Sequence, residues 1–181
     1  MIFPTKEITL KDGRRAVLRN PGEDDAAAMI EFMRTCAAET EFILRYPEEC
    51  TMTEQQEAAF IERSNASPYD VMTVCETSGD IAGICSISFE RHIKTRHRAS
   101  VAIAIKQKYW GLGIGTAMFS EMIASAREKG VLQLELDYIE GNERARRLYE
   151  KAGFMEVARR PDAIRLRDGT KLAEISMIKK L

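Results

Sequence analysis

Three glycines fall within five residues, Gly111-Leu112-Gly113-Ile114-Gly115, between the apolar run Ala99 to Ile105 and the amphipathic stretch Gly113 to Lys129. Glycine gives up more backbone entropy in a helix than alanine does, so three of them at a helix start need a reason. Exposure of main-chain N–H groups supplies one: the first turn of a helix leaves its donors unpartnered, and the peptide dipoles favour an anion there. The segment therefore predicts a strand, a turn shaped to receive a phosphate or diphosphate, and a long helix. A turn whose glycines serve close packing alone is the plainer alternative. Two other phosphate turns fit poorly. Gly115 is followed by Thr116 and Ala117 with no lysine, unlike a nucleotide-triphosphate loop, and the Gly-x-Gly-x-Gly spacing breaks the dinucleotide fingerprint at its third glycine, although Asp137 imitates a ribose-binding acid.

The rest of the chain supplies a frame for this turn. Lys6 to Leu10 and Ala16 to Arg19 read as a hairpin across Asp12-Gly13. Asp24 to Ala37 and Thr53 to Arg63 read as helices, the second opening with a Thr53–Gln56 capping box. Val71 to Glu76 and Ile81 to Phe89 form a second hairpin, and Ala99 to Ile105, apolar at every other position and small between, reads as a central strand. Leu132 to Tyr138, Asn142 to Ala152, Phe154 to Arg159 and Leu172 to Ile178 follow as strand, helix, strand and strand. Hairpins followed by a βαβα run predict one α/β domain over residues 1–181, a mixed sheet with helices on both faces.

Composition excludes several classes. With 45% hydrophobic and 30% charged residues the chain can bury a core. A formal net charge of -1 gives no global field for nucleic acid. No run is apolar for long enough to span a bilayer, and Met1 to Leu10 lacks the pattern of a signal peptide, so a cytoplasmic protein is expected. Cys36, Cys50, Cys75 and Cys85 show no metal-ligand spacing, and His92 and His97 stand among Arg91, Lys94, Arg96 and Arg98, so no metal is expected.

A second informative segment is Asn142-Glu143-Arg144-Ala145-Arg146-Arg147-Leu148-Tyr149-Glu150-Lys151-Ala152-Gly153-Phe154, an N-cap asparagine, a short helix with a tyrosine beside its apolar face, and a Gly-Phe exit into a strand. Alone it is an ordinary helix. Taken with the glycine turn, it closely resembles the GCN5-related N-acetyltransferase (GNAT) family, most strongly from Val71 to Val157. The resemblance implies a splayed mixed sheet with a V-shaped cleft for acetyl-coenzyme A (acetyl-CoA) and transfer of its acetyl group to a primary amine of a polyamine, amino acid or peptide. It implies that Ile103, Ala104 and Ile105 pair with the pantetheine arm, and that the N–H groups of Gly111, Leu112, Gly113, Ile114, Gly115 and Thr116 hold the diphosphate. Asn142 matches the position that contacts the arm, and Tyr149 the tyrosine near the thioester sulfur. By analogy a homodimer is expected.

One position departs from the family pattern: Trp110 stands where Arg or Gln is usual, leaving the main-chain donors to act with Lys106, Lys108 or Arg146 as nearby cations. An acceptor amine must lose a proton before it attacks the thioester, and Glu90 is the first candidate base, ahead of His92 and Glu140. The Ala104 N–H is the expected oxyanion donor and Tyr149 the acid that protonates the departing thiolate. Eleven acidic side chains between Glu23 and Glu62 against Arg34 and Arg45 suggest a cationic acceptor; the basic run Arg91 to Arg98 suggests an anionic group on it instead. A binding module that senses acyl-CoA without catalysis, or a dinucleotide-binding protein, are the alternatives.

Overall fold

The computed structural model describes residues 2–181. Eight strands form one sheet: β1 (Lys6–Thr9), β2 (Arg15–Arg19), β3 (Asp70–Thr77), β4 (Asp80–Phe89), β5 (Arg98–Ile105), β6 (Gln133–Ile139), β7 (Met155–Arg165) and β8 (Lys171–Lys180). Their order is β1-β2-β3-β4-β5-β6-β8-β7, and the one parallel pair is β5–β6. Four helices complete the chain: α1 (Ala26–Glu39), α2 (Glu54–Ala66), α3 (Ile114–Glu128) and α4 (Glu143–Lys151).

Period-two alternation sends β3 side chains to two separate apolar layers. Val71 and Cys75 join α3, contributing Met118, Phe119 and Met122, while Met72 and Val74 meet Met29 and Phe32 of α1 and Ile61 of α2. Helices therefore cover both faces, as the sequence pattern predicts. The four cysteines are buried free thiols. No helix among the described residues is long and apolar enough to cross a membrane.

Most boundaries fall within two or three residues of the sequence reading, and the Thr53–Gln56 capping box closes in both directions. Two differences have physical causes. Residues Glu23–Asp25 form a 3-10 turn ahead of α1. Strand β7 runs on past Arg159 and through Pro161 to Arg165, because β7 is an edge strand and Pro161 falls in a stretch without register partners on β8, so its missing N–H leaves no ladder bond unmade. A register shift between Arg160 and Ile164, with Asp162 at φ 54°, absorbs the irregularity.

Candidate functional site: a forked sheet beside an uncapped helix

Strands β5 and β6 pair over three residues only, Arg98–Gln133, Ala99–Leu134 and Ser100–Glu135, and then diverge. Beyond Ser100 one edge of β5 has no neighbour, and the gap opens into a cleft of about 820 Å³. On its other edge β5 stays paired with β4 as far as Ile105–Gly83, and the Lys106 N–H donates to the Ala82 carbonyl. The His97 carbonyl, by contrast, accepts from Leu132 and Gln133 on the β6 side. Alternation between these two fixed points turns the main-chain groups of Ile103 and Ile105 to the cleft and those of Ala102 and Ala104 to β4. This corrects the expectation for Ala104: it lines the cleft, but its N–H belongs to the β4 ladder.

The glycine turn closes one end of the cleft. Gly111 (φ 79°) and Gly113 (φ 94°) occupy the left-handed region, where any residue with a Cβ is strained. Gly115 serves another purpose: a Cβ there would stand 2.8 Å from Leu148 Cδ2 of α4. The packing alternative thus holds for the third glycine and fails for the first two. Among the described residues no side chain caps α3, whose first intrahelical bond runs from the Ala117 N–H to the Gly113 carbonyl. The N–H groups ahead of Ala117 are the open donors that the sequence predicts. The tip of the β1–β2 hairpin braces the turn, with the Lys11 N–H donating to the Leu112 carbonyl at 3.1 Å and the Lys11 side chain against Gly113.

Tyr149 of α4 is buried and faces the cleft, its ring 5.5 Å from that of Phe119 and 6.0 Å from that of Tyr138. Burial pushes its hydroxyl well above the ordinary tyrosine value, with Cys85 and Tyr138 acting in the same direction. The group is therefore a neutral proton donor across the physiological range. Asn142 caps α4 through its Oδ1, which accepts from the Ala145 N–H at 3.1 Å, leaving its side-chain NH2 as the donor on the cleft wall.

An unpaired strand edge, an uncapped helix start and a buried tyrosine thus meet around one cleft. The acetyltransferase (GNAT) family model matches residues 31–154, more than half of the chain. The chain belongs to this family. A ribosomal protein bS18-alanine N-acetyltransferase of Haemophilus influenzae is 47% identical over 55 residues, 30% of this chain and 37% of that one. The chain's matched stretches span well under two thirds of the curated relatives, 37% and 56% of their lengths. Among solved structures, a GNAT acetyltransferase from Streptococcus pneumoniae superposes with a TM-score of 0.85 at 24% identity, covering 92% of this chain and 99% of that one. A GNAT phosphinothricin acetyltransferase from Sinorhizobium meliloti, solved in complex with acetyl-CoA, gives a TM-score of 0.78 at 20% identity, covering 92% and 88%.

In this GNAT chain the cations near the turn are not those the sequence suggests. Lys106 and Lys108 both bind Asp80, at 2.6 and 2.8 Å, and Arg146 pairs with Glu150 at 2.9 Å; none of the three lines the cleft. Lys11 and Arg144 line it instead. Trp110 lines it too, donating its indole N–H to the Ile105 carbonyl at 2.7 Å.

The expected bases also lie elsewhere. Glu90 stands level with Arg98, on the paired side of the fork, and accepts from the Thr95 hydroxyl at 2.9 Å. His92 is exposed in the adjoining tip, and neither residue lines the cleft. Glu140 is bound by Arg159 and by the Ala173 N–H, which hold its carboxyl below the usual range, and it too is outside the cleft. Of the eleven acidic residues between Glu23 and Glu62, Glu39 reaches the cleft wall, where it accepts from the Gln107 N–H.

Two carboxylates on β6 escaped the sequence reading of the base. Leu134, Leu136 and Tyr138 pack toward α3, so alternation turns Glu135 and Asp137 to the opposite face, and both line the cleft. Glu135 is occupied by Arg98 at 3.2 Å and by Gln133 at 2.6 Å. Among the described residues Asp137 accepts only the Ser176 hydroxyl, at 2.6 Å. The available signal was acidic residues alternating with leucines along the strand that precedes the N-cap asparagine.

Proposed function

We propose that the chain transfers the acetyl group of acetyl-CoA to a primary amine, most favourably the α-amine of a peptide. The observation that carries the reading is the fork itself: the free edge of β5 shares one cleft with the open donors of α3 and with Tyr149. The diphosphate would rest on the N–H groups of Gly113 through Thr116. A pantetheine arm running from there along β5 finds the Ile105 N–H and the Ile103 carbonyl, with Asn142 on the facing wall.

The thioester then sits in the fork with a different group on each face of the sheet. Asp137, on the face opposite α3, takes a proton from the incoming ammonium, which otherwise has no lone pair with which to attack. The amine adds to the carbonyl carbon, and the Ile103 N–H stabilises the oxyanion. On collapse the C–S bond breaks, and Tyr149, kept neutral by burial, protonates the thiolate of CoA.

The peptide assignment rests on space beyond the fork. A second cavity of about 500 Å³ shares Glu39, Thr40 and Ile43 with the cleft wall and continues between the loop after α1 and the end of β7. An amine anchored near Asp137 can therefore trail further residues along it. The Haemophilus relative, named for an alanine acceptor on a ribosomal protein, points the same way. The acidic helices offer weaker support for a polyamine, since they direct one carboxylate, Glu39, into the cleft.

Release of free thiol from acetyl-CoA, followed with short peptides, amino acids, spermidine and aminoglycosides, tests the reading. Peptides are expected to be acetylated fastest. Faster turnover of spermidine overturns the peptide assignment. CoA binding without thiol release from any acceptor favours the sensor reading, and binding of a nicotinamide dinucleotide in place of CoA removes the whole proposal.

A further inference from the structure

The Arg144 guanidinium lies over the indole of Trp110, with Cζ 4.4 Å from the ring centroid. A guanidinium so placed gains from the ring's negative face and keeps its N–H fork free at the edges. Trp110 is itself fixed, because its N–H is bonded to the Ile105 carbonyl at the end of the open strand edge. Both side chains line the cleft. Arg144 has no carboxylate partner among the described residues, whereas Arg146, two positions on, is engaged by Glu143 and Glu150. A held but unpaired cation thus stands where the strand edge gives way to the glycine turn.

We propose that Arg144, presented by Trp110, is the cationic ligand for the diphosphate of CoA, supplementing the main-chain donors of the turn. This rests on CoA occupying the cleft as described above. The role of Trp110 is indirect: its indole N–H fixes the ring against Ile105, and the ring sets the direction of the guanidinium. The diphosphate is favoured over the 3′-phosphate because the Trp110 anchor lies at Ile105, where the pantetheine arm joins the diphosphate over the turn, rather than beyond the turn.

Calorimetric titration of the purified chain with CoA, dephospho-CoA and pantetheine separates the possibilities. Arg144→Gln is expected to weaken CoA and dephospho-CoA by the same factor, about tenfold or more for a lost charge-assisted pair, and to leave pantetheine unchanged. Trp110→Leu should reproduce much of that loss, and the double variant should lose little beyond Arg144→Gln, because the ring acts through the arginine. Arg144→Gln is an exposed change, so a folding defect does not confuse the result. Unchanged affinity in Arg144→Gln overturns the assignment, as does a loss confined to CoA, which would place Arg144 on the 3′-phosphate. Absence of CoA binding by the unaltered protein removes the proposed function and this assignment together; loss of the assignment alone leaves the unaltered protein binding CoA normally.

Discussion

Tyr149 and Asp137 divide the proposed chemistry between them, and their surroundings differ accordingly. Tyr149 is packed against Phe119, Tyr138 and Phe154, so burial favours its neutral form. Tyr149→Phe keeps that packing and removes the proton, so turnover is expected to fall about 10²-fold with CoA affinity nearly unchanged. Steady-state kinetics beside a CoA titration check it, and equal losses in both would contradict the role. Among the described residues Asp137 has a single hydrogen bond, from Ser176. Asp137→Asn should lower kcat/KM about 10²-fold near pH 7. Part of that loss should return as pH rises toward 10, where a growing fraction of the acceptor is already the free amine. A pH profile that stays flat for the variant would argue against the base assignment. Both residues sit in stretches that the sequence singles out, but their roles were unequally legible. Tyr149 follows a local helical spacing from Asn142, whereas Asp137 becomes a cleft residue only through the divergence of β5 from β6.

Helices α3 and α4 meet at a glycine, and this contact sets the distance between the glycine turn and the helix that carries Asn142, Arg144 and Tyr149. Gly115→Ala would bring a methyl to 2.8 Å from Leu148 Cδ2. Leu148 must leave its rotamer or α4 must shift, a cost of about 1 kcal/mol. Thermal melts should show the loss, and combining it with Leu148→Ala should cost less than the sum of the two single changes. Another element-level contact borders the second cavity. The Arg167 guanidinium lies 3.9 Å from the Tyr46 ring centroid, the Arg167 N–H donates to the Tyr46 hydroxyl at 3.1 Å, and Glu48 pairs with the same arginine. The loop after α1 is thereby clasped to the β7–β8 hairpin over the second cavity. Tyr46→Ala is expected to raise amide exchange across residues 40–53 and the KM for a peptide acceptor, while the KM for acetyl-CoA holds. Unchanged exchange would show that the clasp does not order the loop.

Across the whole molecule, Asp80 links the β3–β4 hairpin to the glycine turn. Burial works to raise its pKa, but hydrogen bonds from Lys106, Lys108 and Tyr109 outweigh it and hold the carboxyl at about 2. A depressed folded-state value contributes stability that is complete above the unfolded value near 4 and is lost as pH falls through about 2. The contribution is on the order of 2 kcal/mol. Asp80→Asn should remove that much at pH 7, and its stability should vary less than that of the unaltered chain between pH 4 and pH 2, as read by denaturant titrations. Parallel curves for the two proteins in that range would rule the linkage out. The sequence by itself determined the elements and the strand, glycine turn and uncapped helix that follow one another, because periodicity, caps and left-handed glycines are properties of near neighbours. Tertiary structure decided the rest. The β4 ladder sets which main-chain groups of β5 are free; the three-residue pairing with β6 opens the cleft and admits Asp137 while leaving Glu90 outside; and Lys11 and Arg144 reach the turn from segments far away in the chain. Such relations depend on register and on contacts between distant segments, which local spacing does not encode.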